Sequence, residues 1–251
     1  MPAVTSGLSQ EARTRRARML LGVFRLAIVA LEVIALIGNF RYVLGFRTFA
    51  TANFFSYFTI QSAFLAVITL AIAAGFALTA PRDPAWLGIL RTCVTVYVVL
   101  SGIVFAIIVA ESSSHGYRVD VPWSDTLLHF VVPALAVIAW SVDSVLGVNP
   151  PVPWSTVGWV LPFPFGWLIY TLIRGADVGW YPYFFLDEAQ VGSVLGVVVA
   201  CAIVLAIFLA LTASFVAINR WLWRRARDRR ARPKRSPDPT AARVGSPALR
   251  R

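Results

Sequence analysis

A threonine hydroxyl and an imidazole are the two groups that a simple acyl-transfer hydrolase needs, and Thr59 and His129 supply them inside apolar segments. An imidazole in a lipid-embedded helix is costly unless it has a partner or a task. Thr59 follows Asn53-Phe-Phe-Ser56-Tyr57-Phe58, about five residues inside one apolar run, or ~8 Å at the helical rise. His129 follows Trp123-Ser-Asp125-Thr-Leu-Leu, again about five residues inside, at a similar ~8 Å. Glu32 lies about six residues below the end of a third run, or ~9 Å. Asp125 precedes His129 by four residues, so both project from one helix face. That spacing lets a carboxylate hold the imidazole in one tautomer, as in hydrolytic triads. The expected catalytic set is therefore Thr59 as nucleophile and His129 as base, with Asp125 or Glu32 orienting His129. Asn53, Ser56, Gln61, Tyr170, Arg174, Tyr181 and Asp187 are the expected substrate-binding groups.

Each group also has a structural role to set beside the chemical one. Thr59 can hydrogen-bond its own i−4 carbonyl. His129 can be an interhelical donor, and Glu32 can form a packing ion pair. Ser56, Gln61 and Ser62 can bind helices together. Asp187-Glu188 can cap the N-terminus of the last span.

The elements that must position these residues are membrane spans. Of the 251 residues 58% are hydrophobic, with a mean hydropathy of +0.72. The apolar residues come in blocks of about 20, the length that crosses a ~30 Å hydrocarbon core as a helix. The fold class is all-α, a polytopic membrane protein with a bundle of six transmembrane helices. The spans are about 19–38, 54–79, 88–110, 124–146, 155–174 and 190–219. The organisation is a segment 1–18, a six-helix domain 19–219 and a basic, disordered tail 220–251. Gly192 and Gly196 form a GxxxG, which ordinarily marks close helix approach. The run after Arg13–Arg18 carries Arg25 and Glu32, lacks a clear cleavage site, and reads as a retained span rather than a signal peptide.

Sixteen of the 23 basic residues lie in the two end segments, within a net charge of +11. An even number of spans places both Arg-rich termini on one side, the cytoplasm, despite Arg41 and Arg47 in an outer linker. The basic tail is expected to meet anionic head groups, not nucleic acid. In the cytoplasmic halves the polar groups thin out, with Arg25 snorkelling inward, which speaks against a through-pore. Cys93 and Cys201 sit in apolar runs without metal spacing, and neither metal nor cofactor is expected. GxSxG, HExxH, P-loop and dinucleotide fingerprints are absent from the sequence. The oligomeric state is not encoded in any of these features.

Three segments carry a family resemblance: Asn53-Phe-Phe-Ser-Tyr-Phe-Thr-Ile-Gln-Ser62, Leu128-His129 with Pro133 following, and Tyr181-Pro-Tyr-Phe-Phe-Leu-Asp187. In this order they resemble the Pr6Pr family of bacterial six-span membrane proteins. That group is similar in turn to the eukaryotic androgen-induced-gene-1 / FAR-17a family, multi-pass hydrolases of fatty acid esters of hydroxy fatty acids that use an intramembrane Thr and His. The resemblance places that Thr on Thr59 and that His on His129, with a His-to-Pro spacing one residue shorter here. Ala63 stands where the bacterial group has Asn, and Phe184 where it has Pro. What the resemblance implies is a bacterial plasma-membrane protein whose partners are membrane lipids and a lipid ester substrate. A transporter or scaffold holding a structural polar cluster is the competing expectation.

Overall fold

The computed structural model describes residues 2–46, 50–114 and 121–231. Arg47 and the tail beyond 231 lie outside them. The described residues are helical throughout apart from short connections, and six helices are long and apolar enough to cross a membrane. The elements are α1 (Pro2–Val43), α2 (Thr51–Ser56), α3 (Phe58–Thr79), α4 (Ala85–Ser114), α5 (Trp123–Thr126), α6 (Val132–Leu146), α7 (Thr156–Trp159), α8 (Pro162–Val178), α9 (Glu188–Val191) and α10 (Val194–Ala231). A π-helical turn, Leu127–Val131, joins α5 to α6, so that α5, the turn and α6 form one span. Helix α1 runs unbroken through the N-terminal segment, and α10 continues to Ala231, well into the region expected to be disordered.

The packing follows what a bilayer rewards. Lipid tails are as apolar as Leu, so helices associate through close approach of small residues and through polar pairs rather than by escape from water. Helix α3 buries Ala63, Ala66, Ala73, Ala74 and Ala77, and α1 lies along it. A side chain at Gly22 of α1 would press on Leu78 and the Ala74 carbonyl. A second core gathers Phe58, Tyr97, Trp140, Val160, Phe208 and Phe215 from α3, α4, α6, α10 and the connection after α7. Helices α8 and α10 are peripheral, and their backbones do not approach each other extensively. The Gly192/Gly196 pair does not make a helix interface. Gly192 ends α9 with φ +81°, a left-handed conformation that suits glycine, and Gly196 packs on Val191.

The expectation that polar groups thin out away from Thr59 fails. Helix α1 buries Arg18, Arg25, Glu32 and Asn39, each seven residues from the next, on the face that also carries Leu21, Ile28 and Ala35. At the Arg-rich end Arg18 pairs with Asp83 at 2.7 Å, and Arg91 bridges Asp83 and Asp143. Asn149 donates to both carboxylates at 3.0 Å. Arg25 does not snorkel. It is 1% exposed, donates to the Ala73 carbonyl at 3.1 Å and sits 3.4 Å from Asp143 rather than pairing with Glu32. Buried guanidinium groups persist only when paired, and here carboxylates from two other elements supply the charge, although Nε of Arg18 and Nε and Nη2 of Arg25 have no hydrogen-bond partner.

Candidate active site

Thr59 is the second residue of α3, not the fifth of a longer helix. Tyr57 is extended (φ −66°, ψ 136°) and separates α2 from α3, so no helical i−4 carbonyl lies behind Thr59. Its hydroxyl is free for other partners. It lies 2.7 Å from the Ser101 hydroxyl, 3.4 Å from Nε2 of His129 and 3.5 Å from the Tyr183 hydroxyl. The break also sets Thr59 in the first turn of a 22-residue helix. The leading amides of such a helix have no intrahelical acceptor and carry the positive end of the helix dipole.

His129 occupies the middle of the π-helical turn. Pro133, four residues on, cannot donate to the His129 carbonyl, and its ring crowds that oxygen. The ladder shifts by one, with the Val132 amide donating to Leu127. The His129 carbonyl faces Gly102 of α4, where any Cβ would overlap it. Gly102 is thus required by the closeness of α4 to this turn. Phe105, one turn further along α4, stacks on the imidazole at 3.9 Å between ring centres and 10° between planes. Between them, Gly102 and Phe105 fix both the depth and the plane of the ring.

Nδ1 of His129 donates to the main-chain oxygen of Asp125 at 3.0 Å. The expected carboxylate role is therefore taken by a carbonyl. The Asp125 side chain turns away and accepts from the Asn39 amide. Glu32 does not line the cavity that holds His129. It is 1% exposed, one of its oxygens has no hydrogen-bond partner, and it sits on α1 between Ile28 and Ala35. The heptad spacing that buries Glu32 aligns it with Arg25 and Asn39 on one face of α1.

A cavity of about 320 Å³ joins these groups, with Thr59, Ser101, Asp125, His129, Asn39 and Tyr183 among its walls. Burial pushes the Tyr183 phenol up to about 12, against the opposing pull of the Thr59 hydroxyl and of the Thr59 and Phe58 amides. It therefore stays a protonated donor at neutral pH. Comparison with protein-family models, with curated proteins and with solved structures finds no match.

The expected substrate-binding residues lie outside this cavity. Four of them tie α8 to α2. Arg174 donates to Asn53 at 2.6 Å, and Ser56 and Tyr170 share a hydrogen bond of 2.9 Å. Trp167, which had no expected role, donates to the Ser56 carbonyl at 2.9 Å. Gln61 donates to the Phe55 carbonyl at 3.0 Å across the break at Tyr57. Tyr181 packs its ring on Gly175 of α8. Asp187 caps α9, accepting from the Ala189 amide at 3.0 Å and from Gln190 at 2.9 Å. These groups brace the outer wall of the site without facing its interior.

Ser101, Tyr183, Asn39 and Phe105 were missed by sequence reasoning. The available signals were slight. Ser101-Gly102 interrupts an apolar run, Asn39 continues the heptad of Arg18, Arg25 and Glu32, and Tyr183 is one of five aromatics from Trp180 to Phe185 that suit an interfacial belt equally well.

Proposed function

We propose that this chain is an integral membrane hydrolase of a lipid ester. The observation that carries the reading is the approach of the Thr59 hydroxyl to a bare Nε2 of His129 at 3.4 Å, with the opposite ring nitrogen tied to the Asp125 carbonyl. Hydrogen bonds of this kind between a nucleophile and its base tighten as substrate binds.

In the proposed reaction Thr59 Oγ1 attacks the ester carbonyl while its proton passes to Nε2 of His129. The tetrahedral oxyanion takes a hydrogen bond from the Tyr183 hydroxyl, which the Thr59 and Phe58 amides polarise. The C–O bond to the alcohol breaks, and the alcohol leaves with the proton held by His129. Water then attacks the acyl-Thr59 ester and gives a proton to His129; the acyl C–Oγ1 bond breaks, the imidazolium returns that proton to Thr59 Oγ1, and the acid departs. Overall, ester and water become acid and alcohol. Ser101, 2.7 Å from Thr59, orients the nucleophile.

The same proposal covers the setting: membership of the Pr6Pr group, a bacterial plasma membrane, both termini cytoplasmic and the site opening toward the outer leaflet. The concentration of Arg in the end segments and at the opposite end of the bundle supports that orientation. The test is turnover of an ester lipid by the purified protein. Thr59→Ala and His129→Ala should each lose at least ~100-fold, the usual scale for a base or nucleophile. Unchanged turnover in either variant would overturn the reading.

A second reading is favoured by the polar residues that run along α1 from Arg18 to Asn39. Polar groups at every depth are what a transporter needs. Against a continuous path, Leu21, Ile28, Leu70 and Val132 form an apolar cluster alongside that stripe. Flux of protons or small solutes into liposomes containing the protein, lost in Glu32→Gln, would favour transport.

A further inference from the structure

A second cavity, of about 410 Å³, lies directly beside the first, between α4, α8 and α10. Ser101, Val104 and Tyr183 line both. Beyond that shared wall the second cavity is mainly apolar, with Leu161, Leu168, Ala202, Leu205 and Phe208 among its lining; Cys201 adds a thiol, and Trp167 an indole N–H that is already bonded to the Ser56 carbonyl. It occupies the space left by the loose packing of α8 against α10. Two of its lining residues, Phe165 and Leu205, are 64% and 45% exposed on the surface that faces lipid. The groove is therefore apolar along its length, polar at one end, and bordered by side chains in contact with the bilayer. Those are the features of a site for one chain of an amphiphile held by its carbonyl end.

We propose that this groove holds the acyl chain of the ester, the acid half of the substrate, while the alcohol half leaves through the polar cavity. This rests on the hydrolase reading of Thr59 and His129. The assignment of halves follows from the position of the proton donor. His129 must protonate the leaving alcohol oxygen, so the alcohol lies on the imidazole side, with Asn39 and Asp125. The acyl carbon then continues from Thr59 toward Ser101 and Tyr183, the wall common to both cavities. The chain enters sideways from the bilayer between α8 and α10, where the groove is open.

Two measurements test it, and only one requires turnover. In the Thr59→Ala protein, a palmitoyl ester with a photoreactive diazirine near its methyl end should crosslink to residues of α8 and α10 that line the groove. Leu168 and the Cys201–Leu205 segment are the expected sites, and excess palmitoyl ester should compete. Crosslinks spread over lipid-facing residues such as Leu195 and Ile173, and insensitive to competitor, would overturn the proposal. In active protein, Ala202→Trp fills the groove from its exposed side. It should lower the ratio of kcat/KM for a palmitoyl ester to that for an acetyl ester by ten-fold or more. An unchanged ratio would also overturn the proposal. Competed groove crosslinks in a protein that hydrolyses nothing would uphold the acyl site and sink the hydrolase, while hydrolysis without groove crosslinks would do the reverse.

Discussion

Nδ1 of His129 donates to the main-chain oxygen of Asp125 at 3.0 Å, and the ring thereby presents Nε2, without its proton, to Thr59. A base oriented by a carbonyl differs from one oriented by a carboxylate. The carbonyl sets the tautomer but brings no full charge to stabilise the imidazolium. The Asp125 carboxylate spends its hydrogen bond on Asn39 instead.

Asp125→Asn should therefore be mild. It keeps the main-chain acceptor and a side chain able to pair with Asn39. We expect kcat/KM within about ten-fold of the wild type, against the ~10⁴-fold loss that the same change causes in a carboxylate-oriented triad. Steady-state turnover of an ester lipid checks this. A loss above a thousand-fold would show that the carboxylate itself supports the imidazole.

Tyr183→Phe removes the hydroxyl 3.5 Å from Thr59 that, in the proposed reaction, donates to the oxyanion. By analogy with the loss of a single oxyanion-hole donor, kcat should fall ~10²–10³-fold with little change in KM. Burial raises the Tyr183 phenol above its ordinary value, to about 12, so no loss of its contribution is expected as pH rises from 6 to 9. A KM effect without a kcat effect would make Tyr183 a substrate contact only.

Gly102→Ala tests the packing that seats His129. A methyl group here collides with the His129 carbonyl, and the turn must move. Overpacking of this kind costs ~1–3 kcal/mol, and hydrolysis should fall further than stability alone explains, because the imidazole shifts with its backbone. Thermal unfolding and turnover of the same preparation separate the two effects.

The Arg-rich end gives a stability prediction independent of any activity. Burial alone would raise the Asp83 carboxyl, but the guanidinium groups of Arg91 and Arg18 outweigh it and hold the carboxyl below its ordinary value of 3.8. A lowered folded value means that the stabilisation is complete above the ordinary carboxylate range. It is lost as pH falls through the lowered value. Asp83→Asn should cost ~3–5 kcal/mol at neutral pH, the scale for breaking a buried pair, and the gap to wild type should close in acid. A gap constant down to the lowest accessible pH would mean that Asp83 acts by shape rather than charge.

The six spans were legible because a bilayer imposes one length and one polarity on each, and every expected span has its helix. The approach of Thr59 to His129 was legible in part, since both stand near the same end of their spans. The reason for their geometry was not. The break at Tyr57 carries no Gly or Pro, and it places Thr59 at a helix start rather than within a helix. Pro133 was visible, but the displaced His129 carbonyl depends on Gly102 of another span. Asn53, Ser56, Tyr170 and Arg174, expected to bind substrate, instead hydrogen-bond one another outside the cavity, and their partners were not legible for a related reason. Polar side chains at a membrane surface bind neighbouring helices as readily as ligands, and these four found each other. The ion cluster was half visible, in the spacing of Arg18 and Arg25, while its carboxylates Asp83 and Asp143 come from a linker and a distant span.

The most direct test is mass-spectrometric mapping of the adduct formed when the purified protein, in lipid nanodiscs, is treated with a long-chain alkyl fluorophosphonate. A single phosphonyl group on Thr59, absent from Thr59→Ala and strongly slowed in His129→Ala, is the predicted result. An adduct on another residue, or labelling that persists at the same rate in Thr59→Ala, would contradict Thr59 as the nucleophile.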